Sequence, residues 1–337
     1  METSLFDYHL PPERIAQHSV EPRDQAKLLL LDRKTGDLRN RHVSDLPNLL
    51  KEGDLLVFND SKVFRARLHG KRAGRSHELF LLNARENGEG QWSTLISNAK
   101  KLREGDLLTL ADGTIATLVL KNVAEGTCTL NFHRSNAEVF ALTEAHGEIP
   151  TPPYVDGSNM KTEDYQTIYA KNVGSVAAPT AGFHFTPELL KTLKQKGIDQ
   201  AFVTLHVGVG TFRPVKVENV KDHVMHKEWV QLPETTARAI NRTKENGGRI
   251  IAVGTTTLRV LETFHGKTGE GWTDIFITPG YDITTVQGLI TNFHLPKSTL
   301  LMLVSAFAGR ENILNAYDYA IKNEYRFYSF GDAMLIT

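Results

Sequence analysis

The stretch Thr186-Pro-Glu-Leu-Leu-Lys-Thr-Leu-Lys-Gln-Lys-Gly-Ile-Asp-Gln-Ala-Phe-Val-Thr-Leu-His-Val-Gly-Val-Gly210 decides the fold class. It opens as a helix start, with Thr186 as the cap, Pro187 in the first turn and Glu188 complementing the helix dipole. Leu189, Leu190 and Leu193 form one apolar face, and Gly197 ends the helix. The alternation then changes to that of a strand, from Ala201 to Val207, which stops at the glycine pair Gly208 and Gly210. A second unit of the same kind follows. A helix near Pro233 leads through Gly247-Gly248 to the strand Arg249-Ile-Ile-Ala-Val253, and Gly254-Thr-Thr-Thr257 turns into a helix through Arg259 and Leu261. Helices alternating with strands argue an α/β domain with a mixed, at least partly parallel sheet. Helices near Ser298–Ala308 and Glu311–Asn323 complete it, the latter with Ile313, Leu314, Tyr317, Ala320 and Ile321 on one side.

Residues from about 66 to 148 follow another pattern. Leu107-Leu-Thr-Leu110 and Thr114-Ile-Ala-Thr-Leu-Val-Leu120 flank Asp112-Gly113, a strong hairpin signal. Thr127 to Phe132 alternates again, and Ala73-Gly74, Asn87-Gly88 and Glu104-Gly105-Asp106 mark further turns. Short strands with turns this frequent predict a small antiparallel β-barrel. The expected organisation is a discontinuous α/β domain of residues 1–65 and 150–337, interrupted by a β-barrel domain of residues 66–149. Glu52-Gly-Asp-Leu-Leu recurs at Glu104-Gly-Asp-Leu-Leu without matching surroundings, and reads as two copies of a turn entering a strand.

Composition removes several classes. The 337 residues carry 39 basic and 39 acidic side chains, 40% hydrophobic and 23% charged; this is an ordinary globular balance, so general disorder is excluded. The lone Cys128 excludes an intrachain disulfide framework and any multi-cysteine metal site. The longest apolar stretch, Leu300 to Ala308, is far short of the roughly 20 residues that span a bilayer. The acidic N-terminal stretch lacks a signal peptide's basic start and apolar core. A soluble, cytoplasmic chain with no membrane contact is the expectation, with a monomer as the default. Zero net charge argues against a protein that simply coats nucleic acid, yet one basic run stands out: Lys62, Arg65, Arg67, Lys71, Arg72 and Arg75, with His69 and no acid between. Charge alone leaves a solvated surface and phosphate contact evenly matched.

Four polar clusters lie where strands end or glycine turns begin. Ala178-Pro-Thr-Ala-Gly-Phe-His-Phe-Thr186 places Thr180, Gly182 and His184 before a helix N-terminus, whose free N–H groups can accept an anion. Thr204 to Arg213 places His206 at a strand end, with Gly208, Gly210, Thr211 and Arg213 following. The third cluster is His223-Val-Met-His226-Lys-Glu228, and the fourth Gly254-Thr255-Thr-Thr-Leu-Arg259. Each has a bland counterpart. Glycine pairs after strands are usually tight turns, threonines at helix starts are often caps, and lone histidines mostly pack. The spacing fits neither a dinucleotide fingerprint nor a phosphate-binding P-loop. His223 and His226 with His206 or Glu228 carry ligand types zinc accepts, but a three-residue spacing is common and no metal is expected.

Taken together, the clusters resemble the S-adenosylmethionine:tRNA ribosyltransferase-isomerase family of queuosine biosynthesis, nearly end to end. The resemblance runs through Phe6-Asp-Tyr-His-Leu-Pro11, Arg14-Ile-Ala-Gln17, Gly53-Asp-Leu-Leu-Val-Phe-Asn-Asp60, Ala66-Arg-Leu68, Tyr165-Gln-Thr-Ile-Tyr169 and Ser175 to Thr186. It continues in Thr204 to Phe212, His223 to His226, Ala252-Val-Gly-Thr-Thr256, Thr291-Asn-Phe-His-Leu-Pro-Lys-Ser-Thr299 and Tyr325 to Met334. Arg65, Thr151, Asp164 and Gln287 depart from the family pattern, and none falls in the four clusters.

The resemblance implies an α/β domain interrupted by a β-barrel, and an enzyme that moves the ribosyl portion of S-adenosylmethionine rather than its methyl group. The acceptor would be 7-aminomethyl-7-deazaguanine at the tRNA wobble position of the tyrosine, histidine, aspartate and asparagine tRNAs. The products would be epoxyqueuosine-tRNA, adenine and methionine. S-adenosylmethionine is then a co-substrate, and no permanently bound cofactor is expected. Acidic C5′ protons beside the sulfonium and a departing adenine both ask for acid–base groups, which histidine supplies near neutral pH. His184, His206 and His226 are the expected catalytic residues, with Glu228 as an orienter or alternative base. Thr180, Gly182, Gly208, Gly210, Thr211, Arg213, Gly254, Thr255 and Arg259 are expected to hold the co-substrate, and Lys62, Arg65, Arg67, Lys71 and Arg72 the tRNA. The competing readings are a conventional RNA methyltransferase and a tRNA-binding module without chemistry.

Overall fold

The computed structural model of the chain describes residues 1–86, 88–123, 125–151, 154–155, 162–208, 210 and 215–337. These form two compact units, one of Met1–Ser61, Pro153–Asn172 and Ala178–Thr337, the other of Lys62–Pro152 and Val173–Ala177. The fold class is mixed α/β, with a large mixed sheet in the first unit and a closed barrel in the second.

The sheet has nine strands: β1 (Lys27–Leu31), β2 (Leu38–His42), β3 (Leu55–Asn59), β4 (Asp199–Leu205), β5 (Glu228–Leu232), β6 (Ile250–Val253), β7 (Gly269–Thr273), β8 (Gly288–Asn292) and β9 (Ala333–Ile336). Their order is β7-β5-β4-β3-β6-β8-β9-β1-β2. The four central strands β4, β3, β6 and β8 run parallel, while β5 and β9 flank them antiparallel. Every residue of β3 is buried, the pattern of a central strand covered on both faces. Phe58 explains that position. Its ring meets Phe185 edge-on at 4.9 Å, Tyr169 at 5.0 Å and Phe202 at 5.8 Å, and full burial of such a side chain is worth about 1.5–3 kcal/mol.

The helices cover this sheet where their sequence signals place them. They are α1 (Pro187–Gln195), α2 (Glu234–Glu245), α3 (Thr255–Phe264), α4 (Thr299–Ala308) and α5 (Arg310–Lys322). Thr186 caps α1 by accepting the Leu189 N–H at 3.2 Å, and Leu189 and Leu193 pack into the core that holds Phe58 and Leu56. Ser298 caps α4 in the same way through the Leu301 N–H. Among the described residues no helix is long and apolar enough to cross a membrane.

In the second unit six antiparallel strands close on themselves: Arg67–Arg72, Arg75–Ala84, Gln91–Ile96, Leu107–Leu110, Ile115–Asn122 and Thr127–Asn131. Leu107–Leu110 and Ile115–Asn122 pair across the Asp112-Gly113 turn, as the hairpin signal predicts, and Gly113 takes a φ of 86°. Ala73 and Gly74 both have positive φ, the signature of a type I′ hairpin turn. The Asn87-Gly88 signal falls partly on residue 87, outside the described residues.

The two Glu-Gly-Asp-Leu-Leu copies form one and the same device. Asp54 accepts the Lys51 N–H at 2.8 Å and Asp106 the Arg103 N–H at 2.7 Å. Each carboxylate also binds an arginine, Arg249 for Asp54 and Arg72 for Asp106. A five-residue word has fixed a local turn in two unrelated sheets.

Candidate active site

Chain order and strand order disagree most around β3. The chain returns to one side of it as β4 and to the other as β6, both parallel to it. In such sheets the carboxyl ends of the strands at the reversal leave a crevice, the usual ligand position of α/β folds. The residues following those ends here are Asp60 and Ser61 after β3, His206 to Gly208 after β4, Gly254 and Thr255 after β6, and Phe293 and His294 after β8.

Asn59, the last residue of β3, ties two of these ends together. Its side-chain oxygen accepts the N–H groups of Leu205 at 3.0 Å and Ser61 at 3.1 Å. Its amide donates to the Leu205 carbonyl at 3.1 Å and to Thr256 Oγ1 at 3.2 Å. Beside it, Asp60 accepts from Thr204 Oγ1 at 2.7 Å and Asn172 Nδ2 at 3.0 Å. With this backbone fixed, Ser61 Oγ lies 2.7 Å from His206 Nδ1. One face of the His206 ring stacks on Trp229, centroids 5.1 Å apart and planes 20° from parallel. Burial pushes this imidazole down to about 4, so it is neutral near pH 7.

Glu228, the first residue of β5, stands at the same end. Its Oε1 accepts the Gly208 N–H at 2.8 Å and its Oε2 accepts from Arg259 Nη1. Both side chains are only 6% exposed. The pair therefore sits in a weakly screening environment, where two charges can persist only together. Arg259 belongs to α3, which starts directly from Gly254 at a φ of 91°; that turn aims the helix N-terminus at the crevice without a side-chain cap. Arg259 Nε and Nη2 are buried and have no partner among the described residues. Two unspent donors on a buried guanidinium can receive a carboxylate.

The other expected residues are distributed differently. His184 lies in a short turn of helix from Thr180 to His184 and lines a narrow crevice with Ser19, Arg23, Phe183, Ser329 and Phe330. Burial pushes it down to about 4, Asn292 beside it opposes this, and Arg326 and Arg23 add to it. Its neighbours are thus not those of His206. The anion site expected ahead of α1 is already filled: Thr186 Oγ1 occupies the Leu189 N–H and donates to the Asp24 carboxylate at 3.1 Å, which would repel an incoming anion. Gly182 has a packing reason to be glycine, since a Cβ there would lie 2.0 Å from the Tyr169 hydroxyl and 2.8 Å from Thr167 Cγ2. His226 is exposed and borders Gly210, where a Cβ would meet its ring at 2.9 Å. Thr211 and Arg213 lie outside the described residues. Among the described residues no group of three His, Cys, Asp or Glu is arranged to hold a metal ion.

The basic run is not a row of free cations. Arg65 approaches Glu144 at 4.0 Å, Arg67 approaches Glu78 at 3.7 Å, His69 approaches Glu148 at 3.4 Å and Arg72 binds Asp106 at 2.6 Å, all within the barrel unit. Lys62, Lys71 and Arg75 are exposed. The acids sit far along the chain or across a strand pair, which is why a run without intervening acids reads as more positive than the surface it builds.

Ser61, Trp229 and the clamp residue Asn59 were not among the residues expected to carry chemistry. A signal exists for Asn59 to Ser61: a polar triplet directly after the apolar run Leu55 to Phe58 is the mark of a strand end that faces a site. His294, by contrast, is packed and bonded, with its Nε2 2.9 Å from Thr291 Oγ1 and its N–H on the Tyr317 hydroxyl at 2.9 Å.

A family profile described as queuosine biosynthesis protein matches residues 3–336. Among solved structures, the chain is similar to the S-adenosylmethionine tRNA ribosyltransferase of Thermotoga maritima. The two are 39% identical, the match covers 99% of this chain and 100% of that one, and the TM-score is 0.57.

Proposed function

The chain belongs to the queuosine biosynthesis protein family, and on that premise we propose that it transfers and isomerises the ribosyl moiety of S-adenosylmethionine onto 7-aminomethyl-7-deazaguanine at the tRNA wobble position. The products are epoxyqueuosine-tRNA, adenine and methionine. The observation that carries the reading is the convergence of His206, the Glu228–Arg259 pair and the open N-terminus of α3 on the carboxyl ends of β3, β4 and β6.

Each part fits a demand of the reaction. The methionine end of the co-substrate is a carboxylate, and Arg259 holds two buried donors ready for one. Thr255, at the open start of α3, and Gly210 are proposed to offer backbone N–H groups there. Gly208 and Gly254, whose N–H groups are held by Glu228 and by the Ile290 carbonyl, would let the co-substrate approach the backbone closely, and Thr211 and Arg213, next in the sequence after Gly210, are proposed with them. Thr180 and Gly182 complete the proposed co-substrate residues. Glu228 is committed to Arg259 and Gly208, which suits an orienting residue better than a base. Departure of adenine requires hydrogen bonding or protonation at its ring nitrogens, and removal of a C5′ proton beside the sulfonium requires a base. His206, His226 and His184 are the proposed groups for these tasks. For the tRNA, Lys62 and Lys71 offer unspent charge to phosphates, and Arg65, Arg67 and Arg72, each beside an acid, would contribute less.

The test is incubation with S-adenosylmethionine and tRNA carrying 7-aminomethyl-7-deazaguanine, followed by chromatography. Adenine and methionine should appear only with that tRNA. S-adenosylhomocysteine would instead show methyl transfer, and intact co-substrate beside bound tRNA would show binding without chemistry. Either result would overturn the proposal.

A further inference from the structure

Ser61 is completely buried, and its hydroxyl touches one polar atom among the described residues, His206 Nδ1 at 2.7 Å. That contact has two possible directions. If Nδ1 carried the proton and donated to Oγ, the serine O–H would need an acceptor of its own. The neighbouring candidate is Asn59 Oδ1, and it is already saturated by the N–H groups of Leu205 and Ser61. The hydroxyl proton would then be buried without a partner. Leaving it unpaired costs about 1–3 kcal/mol, enough to shift a tautomer ratio roughly five- to more than a hundredfold. If Oγ–H donates to Nδ1, the buried hydroxyl proton is paired, and the ring proton moves to Nε2 on the less buried histidine.

We infer that Ser61 is a positioning residue that fixes His206 as the neutral tautomer with its proton on Nε2, so that His206 serves the reaction as a hydrogen-bond donor and not as the base. Nε2 has no partner among the described residues, and the ring is held in plane by the Trp229 stack. The backbone of both partners is fixed by the single side chain of Asn59 and by the Asp60 N–H on the Val203 carbonyl at 2.9 Å. A neutral imidazole N–H held in a fixed direction stabilises charge or a lone pair that develops on a substrate atom, without first having to gain a proton. In the reaction proposed above, on which this inference rests, the chemically matching acceptor is a ring nitrogen of the departing purine. The base is then one of the other groups.

The experiment is nitrogen-15 NMR of histidine-labelled full-length protein near pH 7, with the His206 signal identified by its loss in His206→Gln. The expected result is a Nε2–H tautomer in the wild type that becomes a mixture in Ser61→Ala. In the tRNA assay, Ser61→Ala should lower kcat on the order of a hundredfold with little change in the KM for S-adenosylmethionine, as misplacement of a reacting group does. Ser61→Thr, which keeps the hydroxyl, should restore both the tautomer and most of the rate. A wild-type Nδ1–H tautomer would overturn the inference, as would wild-type kcat in Ser61→Ala. If the wild type releases no adenine at all, the proposed reaction fails while the NMR result still decides the Ser61–His206 assignment.

Discussion

Removing the charge of Glu228 isolates the electrostatics of the candidate site. Glu228 and Arg259 are each 6% exposed, so Glu228→Gln leaves a guanidinium with little water and no counter-charge. Breaking a buried pair in this way costs about 3–5 kcal/mol. Glu228→Ala should cost more, because it also removes the acceptor of the Gly208 N–H, and a buried orphaned donor adds about 1–3 kcal/mol. Glutamine keeps that acceptor. The double variant Glu228→Gln with Arg259→Met removes both charges at similar volume, and should recover most of the loss, since charge-free replacements of buried pairs are near neutral. Urea unfolding followed by circular dichroism and by tryptophan fluorescence measures all three. Trp229 and Trp272 face each other across β5 and β7, beside Glu228, and report on this edge of the sheet. Glu228→Gln within about 0.5 kcal/mol of wild type would show that water reaches the pair. A double variant no better than Glu228→Gln would show that the coupling lies elsewhere; either result refutes the reasoning.

Three further outcomes are expected. Burial pushes His184 and His206 down to about 4 and His294 to about 3, against an ordinary 6.5; all three are neutral in both states above pH 7, and below 6.5 the unfolded chain takes up protons that the folded chain refuses. Stability should therefore fall as pH drops from 6.5 towards 4, with a limiting slope of about 1.4 kcal/mol per pH unit for each histidine; an unchanged urea midpoint between pH 7.5 and 5 would contradict this. Gly182→Ala forces a methyl group onto the Tyr169 hydroxyl and should lose about 1–3 kcal/mol, with partial recovery in the Gly182→Ala, Tyr169→Phe double variant; thermal melts that rank the two equally would exclude this clash as the cause. For tRNA binding, Lys71→Ala should reduce the salt slope by about one, whereas Arg72→Ala should change it less because Arg72 is committed to Asp106; equal changes in a filter-binding titration would show that the ion pair opens on binding.

What the sequence determined by itself is whatever a few neighbouring residues decide. The Thr186 and Ser298 caps, the Asp112-Gly113 hairpin, the Ala73-Gly74 turn and the repeated Gly-Asp turn all close hydrogen bonds within about five residues, so composition and spacing suffice to read them. The same holds for the change from helix–strand alternation to a barrel pattern. The clusters containing His206 and Arg259 were also legible, because polar residues after an apolar strand announce its open end, and the one containing Glu228 leads into a strand. Their relation was not. Ser61 meets His206 across 145 residues and Glu228 meets Arg259 across 31, and those contacts exist only because β3 lies between β4 and β6. That order is set by burial of Phe58 and its neighbours on both faces of the sheet, a property of the whole core. The same long-range packing decided that Arg65, Arg67 and Arg72 carry acidic partners and that His184 is packed beside Arg23, Ser329 and Phe330. Local hydrogen bonding writes the elements into the chain, while the shared exclusion of water decides which of them meet.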